Sequence, residues 1–287
     1  MTNKIDLHTH SAASDGTLLP SELVRLAAAE GIGVIALTDH DTVDGAEEFK
    51  TECDKNEICG ISGVEVSADY KCEMHILGLF VDYKNEEFVS RLGRLRNFRA
   101  DRNRRMLDKL VRCGFSVTER DIISQKDGGT LADTGRVHFA NAMIAKGYVK
   151  DKAEAFEKYL GNGKCCYSDR VKYSPQECVK MIHNAGGIAV LAHPILITRS
   201  ARELYALLSE LKALGMDGVE CYHSEYDAEY SRLCLKYASE LHLAVSGGSD
   251  FHGGNKPEVK IGTVNGGETI PLAVYENLLR YKASQCV

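Results

Sequence analysis

Short apolar runs that end in ionisable residues, separated by helix-forming stretches, constrain this chain more than any other feature. "KIDLHTH" is the first run, and the helical stretch "PSELVRLAAAEG" follows it. "VIALTDHD", "GISGVEVSADY" and "MHILGLFVD" come next. After a long gap the alternation resumes: "PQECVKMIHNAGG" then "IAVLAHP", "ELYALLSELKALG" then "DGVECYHSEY", "YSRLCLKYASELH" then "LAVSGGSDFHG". Strands alternating with helices predict a mainly parallel sheet, whose strands are buried on both faces and read as continuous apolar runs. In such folds functional groups gather at the carboxyl ends of strands.

The residues at those ends are His8, His10, Asp15, His40, Glu65, His75, His193, His223, Asp250 and His252, which include seven of the ten histidines. His8 and His10 are two apart, so on a strand they share a face. Imidazole and carboxylate without thiolate suit zinc, manganese or iron(II). The set exceeds what one ion needs, and a carboxylate such as Glu65 can bridge two, so two or three divalent ions fit it.

From about residue 99 to 168 the alternation breaks. "RADRNRRMLDKLVRCG", "TGRVHFANAMIAKGY" and "DKAEAFEKYLGNG" are rich in helix formers and basic residues. They are read as a small helical insertion, with "LGNGKCCYSD" as its return linker. The domain reading is therefore residues 1–98 and 169–287 as the barrel, and 99–168 as a helical insertion contributing to the substrate cleft.

Taken together and in order, "DLHTH", "SDG", "TDHD", "GVEVS", "HILG", "LAHP" and "GGSDFHG" resemble the polymerase and histidinol phosphatase (PHP) family of metallophosphoesterases. The resemblance implies an α/β fold, a distorted (β/α)7 barrel with two or three divalent metals at its carboxyl-end face. It implies that His8, His10, Glu65 and Asp250 hold the first metal. Glu65 then bridges to a second with His75 and His193, and Asp15, His40 and His252 hold a third. The segment "TGRVHFANAMIAKGYVKDKAEAFEKYLGNGK" resembles the insertion of a branch that acts on nucleoside 3′,5′-bisphosphates and short oligonucleotides. That branch often shows Gly-Arg-Pro-His, where this chain has Val137 in place of the proline.

The expected activity is hydrolysis of phosphate esters of small nucleotides or of oligonucleotide ends, through a hydroxide bridging two cations. Arginine matches phosphate with paired donors, so Arg136 and Arg199 are nominated as substrate contacts. His223 is left over once the metal sites are filled, and is assigned to phosphate contact or to protonating the leaving oxygen. Asp39 and Asp41, beside His40, are read as groups orienting the imidazole or as capping or solvated residues, and Asp6 as structural or as orienting a ligand. His138, two residues after Arg136, is a further candidate for touching substrate, although on a helix the two do not share a face. The alternatives are a histidinol-phosphate phosphatase and a non-catalytic metal-binding or polymerase-accessory module, against which the complete ligand set argues.

Composition narrows the partners. The formal net charge is −6, which disfavours duplex DNA. A membrane span and a signal peptide are both unsupported, so the expected location is the cytoplasm. The ten cysteines form no CxxC pair. They are read as reduced thiols serving as small apolar residues, and the adjacent Cys165 and Cys166 are not expected to face one site.

Overall fold

The computed structural model describes residues 4–126 and 129–285. Residues 1–3, 127–128 and 286–287, Cys286 among them, lie outside these. The chain divides into two compact units, residues 1–91 with 173–287, and residues 92–172. In chain order the strands are β1 (Lys4–Thr9), β2 (Ile32–Leu37), β3 (Cys59–Ala68), β4 (Met74–Leu79), β5 (Ile188–Leu191), β6 (Gly218–His223) and β7 (Ala244–Gly248). The α-helices are α1 (Pro20–Ala29), α2 (Ala46–Lys55), α3 (Glu86–Arg112), α4 (Glu119–Ile123), α5 (Arg136–Ala145), α6 (Lys152–Ala155), α7 (Pro175–Asn184), α8 (Ala201–Ala213), α9 (Ala228–Glu240) and α10 (Leu272–Gln285).

The seven strands form one sheet in sequential order, a nearly closed (β/α)7-type barrel. β1, β2 and β3 run parallel, as do β5, β6 and β7, whereas β4 is antiparallel to both of its neighbours. This is the distortion of the barrel, and it has a local cause. β3 and β4 are separated by residues 69–73 alone, too few for the helix that a parallel crossover needs. Reversal also moves the functional end of the strand. β4 brings its first residues to the rim where its neighbours end, so His75 stands near the start of its strand, opposite Ser67 of β3.

The outer strands meet to close the barrel. Asp250 N–H donates to His8 O at 2.9 Å, and His10 N–H donates to Phe251 O at 2.9 Å. The approach is so close that a Cβ at Gly248 would collide with the backbone and Cβ of His8. Asp6 secures the same seam: its Oδ1 accepts from Ser249 N–H at 2.9 Å, and its Oδ2 from the Ser249 hydroxyl at 2.5 Å and Gly262 N–H at 2.7 Å. Asp6 is thus a structural residue of the barrel joint.

Packing follows the sequence pattern. Leu23, Val24 and Ala27 recur at helical spacing on α1 and pack with Ile32, Ile35 and Leu37 of β2 and Phe49 of α2. Each of the Leu, Ile, Val and Phe side chains among them contributes about 1.5–3 kcal/mol on burial. Val274 and Leu278 of α10 join Ile5, Leu7, Val34, Val190 and Ala192 in a second cluster. The unit of residues 92–172 has its own core, built from Met106, Leu110, Ile122, Phe139, Met143 and Leu160 among others.

Candidate metal centre

His8 and His10 come from the end of β1 and the residue beyond it, and both are fully buried. Their Nε2 atoms lie 3.1 Å apart. Glu65 Oε2 is 3.4 Å from the first and 3.2 Å from the second, and Asp250 Oδ1 is 3.4 and 3.2 Å from them. Four donors bound about 2.0–2.1 Å from one tetrahedral ion stand about 3.3 Å from one another. The arrangement has that spacing.

A second set gathers on the other oxygen of the same carboxylate. Glu65 Oε1 is 2.9 Å from His75 Nδ1 and 2.8 Å from His193 Nε2, and those two nitrogens are 3.3 Å apart. Glu65 therefore turns one oxygen to each set. A third group consists of Asp15, His40 and His252, and His10 approaches it as well. His252 Nε2 is 3.2 Å from Asp15 Oδ1, and His40 Nε2 is 3.6 Å from Asp15 Oδ2. His40 Nδ1 also lies 3.0 Å from Glu65 Oε2, so the three groups are contiguous.

The backbone is bent to achieve this. Asp250 (φ +58°) and His193 (φ +26°) both lie in the left-handed region, which costs a non-glycine residue of order 1–3 kcal/mol. Buried carboxylates beside His40 brace the adjoining segments. Asp39 accepts from Ser11 N–H at 2.8 Å, the Ser11 hydroxyl at 2.6 Å and the Ser14 hydroxyl at 2.5 Å, fixing the loop between His10 and Asp15. Asp41 accepts from Ser67 N–H at 2.9 Å.

The electrostatics match a site built for cations. Burial alone would raise the Glu65 carboxyl, but the imidazoles of His40, His75 and His8 outweigh it and hold it well below the ordinary range. Burial likewise opposes ionisation of Asp250, and His252, His8 and Lys256 overcome it. Burial would lower His10, yet the adjacent Asp250 and Glu65 carboxylates lift it to about 9. His40 follows burial instead and falls to about 3, against the pull of Glu65 and Asp15. Glu65 Oε2 and His40 Nδ1, 3.0 Å apart, are buried without a well-formed hydrogen bond. Buried nitrogen and oxygen donors left in this way, at these spacings, fit divalent metal ions.

Two residues of the centre escaped the sequence reading. Glu220, wholly buried in β6, places Oε1 2.9 Å from His8 Nδ1, and its Oε2 accepts the His193 backbone N–H at 2.6 Å. Its signal was a carboxylate within an otherwise apolar strand, "GVECY". Lys256 reaches Asp250 Oδ2 from the loop beyond β7, and no local pattern marks it.

His223, at the end of β6, is fully buried, with Nε2 3.7 Å from Asp250 Oδ2. Its Nδ1 accepts from Glu225 N–H at 3.2 Å. In the neutral ring the proton must then sit on Nε2, the atom turned toward the ligand cluster.

Arg199 is exposed in the loop after β5, just before α8. Arg136 is the first residue of α5. Its guanidinium donates to Asn162 Oδ1 at 3.0 Å and lies 5.8 Å from the ring centres of both Phe156 and Tyr167, all within residues 92–172. His138 caps the same helix, its Nδ1 accepting from Gly135 N–H at 2.9 Å.

The PHP domain profile matches residues 6–168, more than half of the chain. This chain belongs to the PHP family. It is similar along most of its length to several known proteins. A 5′-3′ exoribonuclease of Haemophilus influenzae is 34% identical over 88% of this chain and 91% of its own length. A 3′,5′-nucleoside bisphosphate phosphatase of Chromobacterium violaceum is 33% identical over 86% and 87%. Among solved structures, an amidohydrolase from Chromobacterium violaceum with bound sulfate and no metal superposes with a TM-score of 0.85 and 30% identity, covering 97% of this chain and 96% of that one. The PHP chain described here is a phosphoesterase, a hydrolase of phosphate esters. Among its described residues no helix is long and apolar enough to cross a membrane.

Proposed function

We propose that this PHP phosphoesterase hydrolyses phosphate esters of small nucleotides, nucleoside 3′,5′-bisphosphates or short oligonucleotide ends. The observation that carries the reading is the split engagement of Glu65. Its two oxygens serve two ligand sets, in a chain similar nearly end to end to a bisphosphate phosphatase and an exoribonuclease.

His8, His10, Glu65 and Asp250 would hold one divalent ion, Glu65, His75 and His193 a second, and Asp15, His40 and His252 a third. Manganese, zinc and iron all suit these donors. When bound, such ions neutralise phosphate charge and supply a water of lowered pKa. Glu220 fixes the tautomer of His8 by accepting from its Nδ1–H, which leaves Nε2 free to ligate. His223 presents Nε2–H to the substrate and gives that proton to the leaving oxygen. Arg199 and Arg136 contact phosphate through paired N–H donors, Arg136 on the strength of its Gly-Arg-x-His motif. A cytoplasmic location belongs to the same reading, a compartment in which thiols stay reduced.

The test is phosphate release by the manganese-loaded protein from a nucleoside 3′,5′-bisphosphate, histidinol phosphate and short 5′-phosphorylated RNA. The reading predicts turnover of the bisphosphate or the RNA at least tenfold above histidinol phosphate. Preference for histidinol phosphate would transfer the chain to that phosphatase class. Absence of turnover on all three would favour a binding module.

A further inference from the structure

Three cysteine side chains converge in the helical unit, apart from the barrel. Cys113 follows the last residue of α3, and Cys165 and Cys166 lie in the turn after residue 160. Cys166 Sγ is 3.6 Å from Cys113 Sγ and 3.7 Å from Cys165 Sγ. All three sulfurs lie within 4.8 Å of one another.

This overturns the expectation that the adjacent cysteines would not face one site. Neighbours diverge on a strand, but residues 161–167 form a tight turn. Gly163 takes φ +74°, Lys164 N–H donates to Gly161 O at 3.0 Å, and Tyr167 N–H donates to Lys164 O at 3.0 Å. The turn is fastened to α3. The Lys109 ammonium donates to Tyr167 O, and Arg105 donates to Ser168 Oγ at 3.0 Å and to Asp169 O at 2.8 Å.

Apolar burial accounts for one of the three thiols. Cys166 is wholly buried within the core of this unit, whereas Cys113 and Cys165 are exposed. The sulfurs are also too far apart to be bonded, since a disulfide measures about 2.05 Å. Thiolates bound about 2.3 Å from one tetrahedral ion stand about 3.8 Å apart, close to the separations found here.

We propose that Cys113, Cys165 and Cys166 form a three-thiolate site for a soft d10 cation of the zinc class. Binding displaces the three thiol protons to solvent and leaves the three sulfurs and the dication with one net negative charge. The exposed side of Cys113 and Cys165 leaves a fourth position open to water. Such a site ties the end of α3 to the 161–167 turn. It also selects a different class of ion from the barrel, where nitrogen and oxygen donors predominate.

The test uses the reduced full chain with the barrel ligands presaturated with manganese. Cadmium is titrated in and read by ultraviolet thiolate-to-cadmium charge transfer, to which imidazole and carboxylate do not contribute. The proposal expects saturation at one cadmium per chain, reversed by zinc. Cys113→Ser and Cys165→Ser, at exposed positions where folding is not threatened, should each weaken cadmium by more than the roughly 10–100-fold that losing an orienting partner costs. Cys59→Ser, an exposed thiol elsewhere, should change nothing. No charge-transfer band, a band indifferent to both variants, or a Cys113–Cys166 disulfide as the resting state of the isolated chain would overturn the proposal.

Discussion

Glu220 Oε1 lies 2.9 Å from His8 Nδ1, and neither side chain is exposed. The other oxygen of Glu220 accepts the backbone N–H of His193. One carboxylate thus braces a ligand from each side of the Glu65 bridge. Glu220→Gln keeps the shape but loses the charge that favours the Nδ1–H tautomer of His8. Metal affinity is expected to fall about 10–100-fold, with little change in the secondary structure of the metal-free chain. Calorimetric titration with manganese checks this, and unchanged affinity would make Glu220 a packing residue.

The Nδ1 of His223 is occupied by Glu225 N–H, so the ring offers a proton from Nε2. A general acid contributes typically 10²–10⁴-fold. Replacing His223 with Gln leaves an amide donor near the Nε2 position but no transferable proton. A loss of kcat in that range, with KM and metal content nearly constant, is expected for both His223→Gln and His223→Asn. If the Gln variant retains turnover while Asn does not, His223 only contacts phosphate. If both retain it, His223 has no role in the reaction.

Beyond the amino-terminal ends of β5 and β6 stands a cluster unrelated to the metal site. Asp217 Oδ2 is 2.7 Å from His183 Nε2 and accepts Ala189 N–H at 2.8 Å, while its Oδ1 accepts from the Tyr281 hydroxyl at 3.0 Å. The hydrogen bond to Asp217 raises His183, against partial burial. A raised folded pKa stabilises below the unfolded value, about 6.5, and the gain is lost as pH rises through the folded value. His183→Asn should therefore lower the thermal midpoint at pH 5.5 and leave it nearly unchanged at pH 9. Because His183 is partly exposed, the effect should stay below about 1 kcal/mol. Asp217→Asn, which weakens the acceptor for a buried N–H, should cost about 1–3 kcal/mol at neutral pH. A midpoint difference that grows with pH would contradict the assignment.

The barrel was legible because its strands are apolar and end in charge, a pattern that parallel strands buried on both faces require. The antiparallel β4 was not, since direction depends on the short 69–73 link rather than on the composition of "MHILGL". Every expected ligand, from His8 to His252, falls in one contiguous cluster, because spacing along strands converts directly into position at a rim. Glu220 lies three residues before the end of β6, whereas the sequence pattern marks strand ends, here His223. Lys256 sits in a loop whose path no periodicity encodes. Cys165 and Cys166 converge for a related reason: the path of the 161–167 turn, which adjacency alone does not reveal, brings both sulfurs to one side.

The central claim is that Glu65 joins two ion sites through its two oxygens. Manganese-soaked crystals, read by anomalous scattering, test it most directly. Besides a third peak at Asp15, His40 and His252, the account predicts two peaks about 3.5–4 Å apart on either side of the Glu65 carboxylate, one among His8, His10 and Asp250, the other between His75 and His193. A single peak bound by Glu65 through one oxygen, or none among His8, His10 and Asp250, would contradict it.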